Sequence, residues 1–415
     1  MARTYLDWNA SAPLRPEARR AMADAMDVAG NPSSAHAEGR AARALRERAR
    51  EQVAALVGAE PDHVAFTSGA TEAVNWALRH APRTRGEKGG RAHGGDERGG
   101  KGAGEQADRP WAAFWVLDGE HAAVTAAAHA AVGSGAALHR IPLHPLTGDP
   151  RLDHVDAAAV TEAAPDALIC LWEAQGETGA ALGPGEAATV SSVSGAGGGD
   201  RALVFSDATQ LVGKSASAAD GATRAYRFDT DLAAVSAHKF GGPKGVGALL
   251  IRSGLDLPPL IHGGGQELRR RSGTENVLGL VGMGAAAAAA LADLRAGLWE
   301  EVRARRERLW EGLAEITPSL VRLGGEARWR LDNTLALSAP GRKAESLLIQ
   351  LDLSGLAVSA GSACSSGKLA ASPVIAAMGL SPEIGAGTLR FSLGPSTTEA
   401  DVDAALRAWS GLRLR

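Results

Sequence analysis

The chain reads as an α/β fold, with a large domain on a mostly parallel sheet flanked by helices and a smaller α/β domain towards the C-terminus. Three observations predict it. Short apolar runs of strand length alternate with amphipathic helical patterns along the first part of the 415 residues. Those runs are apolar at successive positions, as in strands covered on both faces of a parallel sheet. A strongly helical stretch from 282 to about 316 then connects to a last group of elements.

In chain order, residues 35–58 place Arg and Glu on one face and Ala, Val and Leu on the other, which predicts a surface helix. A strand over 64–67 runs into Gly69-Ala70-Thr71 and a second helix. Residues 82–110 carry Gly, Arg, Lys and acids with almost nothing apolar to bury, so an unstructured insertion is expected there. Strands follow around 114–117, 168–172 and 203–205, the last preceded by a Gly- and Ser-rich loop over 191–200. A strand near 232–236 leads into a Gly-rich turn and another strand. The C-terminal group ends with the strand in TLRFSLG and a helix from Thr398. The division expected is 14–262 for the large domain, with 1–13 and 263–415 forming the small one.

Composition narrows the function. A net charge of -3 from 44 basic and 47 acidic residues leaves no field of one sign for nucleic acid or an anionic membrane, so a small-molecule substrate is expected. The two cysteines, Cys170 and Cys364, lie far apart, which argues against a disulfide framework and suits a reducing compartment. The N-terminal residues show no apolar leader, and the apolar run from Ala285 reads as too short to span a bilayer. A cytoplasmic location, no membrane partner and no metal site are expected.

The segment LAAVSAHKFGGPKGVGALLI concentrates the chemistry. A strand end delivers Ser236, His238 and Lys239 into a glycine-rich turn, where an amine in apolar surroundings beside a second cationic group can form an imine. Lys244, nearby, reads as a solvated charge. An imine-forming pyridoxal cofactor also needs an acid to keep its ring nitrogen protonated, and Asp207 ends an apolar strand. Its phosphate needs backbone N–H groups at a helix start, which the Gly69-Ala70-Thr71 turn provides.

Together with YLDWNASAP, GNPSSAHAEGR, FTSGATEAVN, GEHAAV, GETG, FSDATQLVGK, HGGGQELRRRSGTENV, SAGSACSSG and LRFSLGPSTTEAD, these segments resemble the cysteine desulfurases. Those are pyridoxal-phosphate enzymes of the class V aminotransferase family, with fold type I. The motifs occur in that family's order over nearly the whole chain outside 82–110. The resemblance implies that Lys239 holds the cofactor and moves the α-proton of L-cysteine, that His121 stacks on the cofactor ring, and that Asp207 and Gln210 meet the ring nitrogen and the phenolic oxygen. It implies Ala70, Thr71, Ser236 and His238 at the phosphate. Thr274 would reach the phosphate from a partner subunit, hence a homodimer. Asn9 and Arg390 would meet the substrate, Arg390 as a bidentate clamp on its carboxylate. Cys364, in a stretch of small polar residues, would be the nucleophile that takes sulfur, as in the subgroup with a long Cys-bearing loop, and would pass it to an acceptor protein for iron–sulfur cluster or thio-cofactor synthesis. Cys170, inside ALICLW, reads as a buried inert thiol.

Two departures stand out. Gln175 occupies a position where the family carries asparagine, so the resemblance implies a cofactor-binding amide reaching the phenolic oxygen on a longer arm, and the sequence stops at AWSGLRLR without the extension that docks a cluster scaffold. A selenocysteine lyase or an aminotransferase of the same fold would keep Lys239 and Asp207 without needing Cys364. A non-catalytic sulfur-relay protein is the reading from another class.

Overall fold

The computed structural model describes residues 3–84, 109–193, 201–361 and 372–412; Cys364 lies outside them. A seven-stranded sheet organises the larger part of the chain. Its strands lie in the order Val64–Thr67, Gly247–Ile251, Leu232–Ser236, Leu203–Asp207, Ala167–Trp172, Ala113–Leu117 and Ala137–Ile141. Every residue of the first six is buried, while the edge strand Ala137–Ile141 is mostly open to solvent. Gly247–Ile251 is antiparallel to both neighbours. It follows Leu232–Ser236 after a turn too short for a crossover helix, so the chain can only double back.

Successive residues of a strand point to opposite faces. Ala233, Val235, Ala248 and Leu250 pack with Val53 of the helix Ala37–Val57 and Met283 of the helix Val277–Arg295. Leu232, Ala234, Leu249 and Ile251 pack with Val74 and Val124 of the helices Ala70–Arg79 and Ala122–Val132. The apolar run around Ala285 proves longer than the sequence reading allowed. It belongs to the 19-residue helix Val277–Arg295, which by length and composition could cross a membrane. Here it lies against the helices Pro16–Ala25 and Ala37–Val57: a Cβ on Gly282 would meet Met22 Sδ at 2.6 Å, and one on Gly284 would meet Ala49 Cα at 2.7 Å. Small residues let these helices approach closely, as in a core helix.

The long helical stretch is two helices, Val277–Arg295 and Leu298–Ile316, separated at Gly297, whose φ of 70° ends the first. An antiparallel sheet follows, ordered Val321–Leu323, Thr334–Ser338, Thr388–Ser392 and Ser359–Ala360. Leu6, from the N-terminal segment, shares its core with Leu335, Phe391 and Trp409. The expected insertion is narrower than 82–110. Arg83–Thr84 pairs with Leu255–Asp256, and Ala81 N donates to Arg109 O at 2.9 Å; residues 85–108 lie outside the described residues. The loop expected over 191–200 is likewise shortened, since the helix Glu186–Val193 runs into it.

Candidate active site

Six of the seven sheet strands run the same way, and the residues singled out for chemistry follow their C-terminal ends: Ala70 and Thr71, His121, Gln175, Asp207, and His238 with Lys239. This is where open α/β sheets hold ligands, because the strand ends leave a crevice that only loops fill. Gly69, at φ 156°, opens the helix Ala70–Arg79 without a side-chain cap, and a Cβ there would meet nothing within 4 Å. A backbone cradle thus faces open space at a helix N-terminus, where N–H groups and the dipole favour an anion. Gly247 lets the neighbouring strand press against it: a Cβ would stand 2.7 Å from Gly69 Cα.

Lys239 closes the short turn Ala237–Lys239 that follows the buried Ser236. The N-terminal segment straps over it: Ala12 N donates to His238 O, and Arg15 N to Gly241 O, both at 2.9 Å. The Lys239 Nζ donates to Asn9 O at 2.7 Å and to Ala10 O at 3.2 Å. Gln210 Nε2 donates to the same Asn9 carbonyl at 3.1 Å. Burial, then the charges of Lys239, Lys244 and Lys214, pull the His238 pKa down to about 4. His238 is therefore neutral near pH 7, with its Nδ1 3.3 Å from Ser11 Oγ.

Asp207, the last residue of its strand, is buried, and its Oδ1 accepts from Thr209 N at 3.0 Å and from the Thr209 hydroxyl. Beside it Glu120 is fully buried, and desolvation followed by the Asp207 charge raises its pKa well above the ordinary value. Glu120 Oε1 has no hydrogen-bond partner. The next residue, His121, is exposed and caps the helix Ala122–Val132, its Nδ1 accepting from Ala123 N at 3.1 Å. Gln175 does not use its longer arm to reach outwards. Its Nε2 donates to Gly119 O at 3.1 Å and its Oε1 accepts from Glu177 N and Thr178 N, so it ties the His121 loop to the turn that follows.

Arg390 lies within the C-terminal sheet, 7% exposed, with Nη2 2.8 Å from Asp7 Oδ1, Nη1 3.1 Å from Gly176 O, and Nε unpartnered. Asn9 is 1% exposed and all four hydrogen-bonding positions of its amide are taken. Nδ2 donates to Gly176 O and Thr334 Oγ1; Oδ1 accepts from Lys214 and Asn333. Its side chain is a joint within the protein here, and only its backbone carbonyl meets Lys239. Thr274 is exposed on the segment after Arg271. Cys170 is fully buried, its thiol pKa raised well above normal by desolvation and then by Glu120.

Two groups escaped the sequence reading. Lys214, within the motif FSDATQLVGK, is 1% exposed and donates to Asn9 Oδ1 and Gln210 Oε1, both at 2.9 Å. Glu177 bonds Ser372 Oγ, and burial lifts its pKa to about 7 against the opposing effects of Ser372 and Arg390. In the sequence, each looks like an ordinary polar turn residue.

The aminotransferase class-V family model matches residues 4–92 and 112–405. A cysteine desulfurase of Cereibacter sphaeroides is 38% identical over 98% of this chain and 94% of its own. The cysteine desulfurase IscS of Dictyoglomus turgidum is 34% identical over 97% and 92%. Among solved structures, a NifS-like protein superposes with a TM-score of 0.79 at 29% identity, covering 98% of both chains. The chain belongs to the class-V aminotransferases and, within them, to the cysteine desulfurases. That family works with pyridoxal phosphate, and the site fits the group. An uncapped helix N-terminus faces open space for a phosphate, a strand-end carboxylate and an amine lie at the same sheet edge, and a buried guanidinium keeps an unpartnered Nε.

Proposed function

We propose that this chain converts L-cysteine to L-alanine and leaves the sulfur as a persulfide on Cys364. What supports this reading most is the convergence at one sheet edge of Lys239, Asp207 and the open helix N-terminus at Gly69. Ala70 and Thr71, with Ser236 and the neutral His238, hold the cofactor phosphate, and Thr274 of a second copy completes the cradle in a homodimer. When bound, pyridoxal phosphate supplies an electron sink for negative charge at the substrate Cα. Asp207 keeps the proton on the ring nitrogen, Gln210 faces the phenolic oxygen and His121 covers the ring. Gln175 supports His121 through Gly119. Arg390 receives the substrate carboxylate, and Lys239 takes the Cα proton and returns protons to the product.

The Cys364 thiolate attacks the substrate sulfur; a sulfur–sulfur bond forms as the sulfur–Cβ bond breaks. The electron pair stays with the carbon skeleton, which is reprotonated to alanine. The balance is L-cysteine plus a thiol giving L-alanine plus a persulfide. The persulfide then passes to an acceptor thiol, in a cytoplasmic enzyme whose large part takes in, beyond the expected 14–262, the helix Val277–Arg295 packed on its sheet.

Incubation with L-cysteine and a reductant should release alanine and sulfide in equal amounts, and Lys239→Ala should release neither. Alanine production by Lys239→Ala at the wild-type rate would remove Lys239 from the chemistry.

A further inference from the structure

Lys214 is hard to account for as a structural residue. Its side chain is fully buried, no carboxylate lies within ion-pair distance of it among the described residues, and it faces two other cations, Lys239 and Arg390. Arg390 is itself paired with Asp7, whose second oxygen accepts from Ser359. A buried, unpaired cation costs stability, and an apolar side chain of similar length would be cheaper. What Lys214 does have is two well-formed hydrogen bonds, to Asn9 Oδ1 and to Gln210 Oε1. An amine that donates to both can face only the oxygen side of each amide. That orientation turns Gln210 Nε2 to the Asn9 carbonyl, the same carbonyl that accepts from Lys239 Nζ.

Gly176 makes room for this arrangement. A Cβ there would stand 2.9 Å from Gln210 Nε2, so the Gln210 amide is held from both sides. Asn9 cannot turn away either, since its Nδ2 is tied to Gly176 O and Thr334 Oγ1.

We propose that Lys214 is a positioning residue of the proposed cofactor site: by donating to Asn9 Oδ1 and Gln210 Oε1 it locks the Gln210 amide with its NH2 on the Asn9 carbonyl that also accepts from Lys239 Nζ. This rests on the pyridoxal-phosphate reading above. Burial, and then the charges of Lys239 and Arg390, push the Lys214 pKa well down, which suits an amine that acts here through its two hydrogen bonds.

The test uses the cofactor-loaded enzyme and follows the visible absorbance of the bound cofactor against pH in wild type, Lys214→Met and Lys214→Gln. Met replaces the amine with an apolar chain of similar size; Gln keeps a donor without charge. In Lys214→Met, which frees the Gln210 amide, the midpoint of the absorbance change should move by about one unit, a tenfold change in the proton equilibrium, and in Lys214→Gln by less. Lys214→Gln is expected to fold even if the apolar variant does not, because it can still bond one of the two oxygens. A wild type that shows no such band sinks the cofactor reading itself. A wild type that titrates normally, with variants that hold the cofactor and share its midpoint, overturns the role of Lys214 alone.

Discussion

At the scale of single residues, the two cysteines divide the chemistry. Cys170 is sealed in its strand with its thiol pKa driven up, so no thiolate forms there near neutral pH. Cys170→Ala should leave turnover unchanged and cost about 1 kcal/mol for the small void. Cys364→Ala should still perturb the bound cofactor's absorbance when L-cysteine is added, but release neither alanine nor sulfide. Mass spectrometry after exposure to cysteine without reductant should find one added sulfur on the Cys364 peptide. If Cys364→Ala keeps wild-type alanine release, the nucleophile is misassigned and a lyase or transaminase reading replaces it.

Glu177 makes a pH prediction whose sign follows from its raised pKa. The folded protein holds this carboxyl protonated up to about pH 7, while the unfolded chain loses the proton near 4.5. The group's contribution to stability is therefore fully present below pH 4.5 and is lost as pH rises through 7. Denaturant titrations at pH 5 and pH 8 should show Glu177→Gln flattening part of the wild-type fall. A steeper fall in the variant would contradict the assignment.

At the scale of elements, the segment leading to Thr274 is anchored by a buried carboxylate, Glu267. Glu267 accepts from Arg50 Nη1 at 2.9 Å, Arg50 Nη2 at 2.8 Å and Phe66 N at 2.8 Å, although Glu267, Leu268 and Arg269 all have positive φ. Such backbone persists only where the surroundings over-determine it. Glu267→Ala removes the carboxylate that meets both Arg50 Nη atoms, leaving the buried guanidinium only Glu47 and the Val64 carbonyl, and should cost about 3 kcal/mol in urea unfolding, with Glu267→Gln losing less. Equal losses for the two would mean that charge pairing plays no part. Strand ends such as Asp207 and Lys239 were legible because an apolar run stopping at a polar residue and glycines marks a sheet edge in the sequence. The engagement of Asn9 was not, since its four partners come from Gly176, Lys214, Asn333 and Thr334.

At the scale of the whole molecule, Ala81 N and Arg109 O are joined by a hydrogen bond, so the chain after 85–108 re-enters beside Ala81, a few residues before that stretch begins. Replacing 85–108 by a two- or three-residue turn of roughly hairpin length should preserve folding and turnover. Loss of soluble protein or of alanine release would show a role for that stretch. The strand-and-helix alternation and the strand-end positions of Lys239 and Asp207 were set by sequence alone, because periodicity and local turn chemistry depend on near neighbours. Only the tertiary structure decided that Gly247–Ile251 runs antiparallel, that Gln175 braces the His121 loop and that Lys214 lies buried beside Lys239. Burial and hydrogen-bond partners are supplied by segments hundreds of residues apart, such as Asn9 and Asn333, and no local pattern encodes which of them will meet.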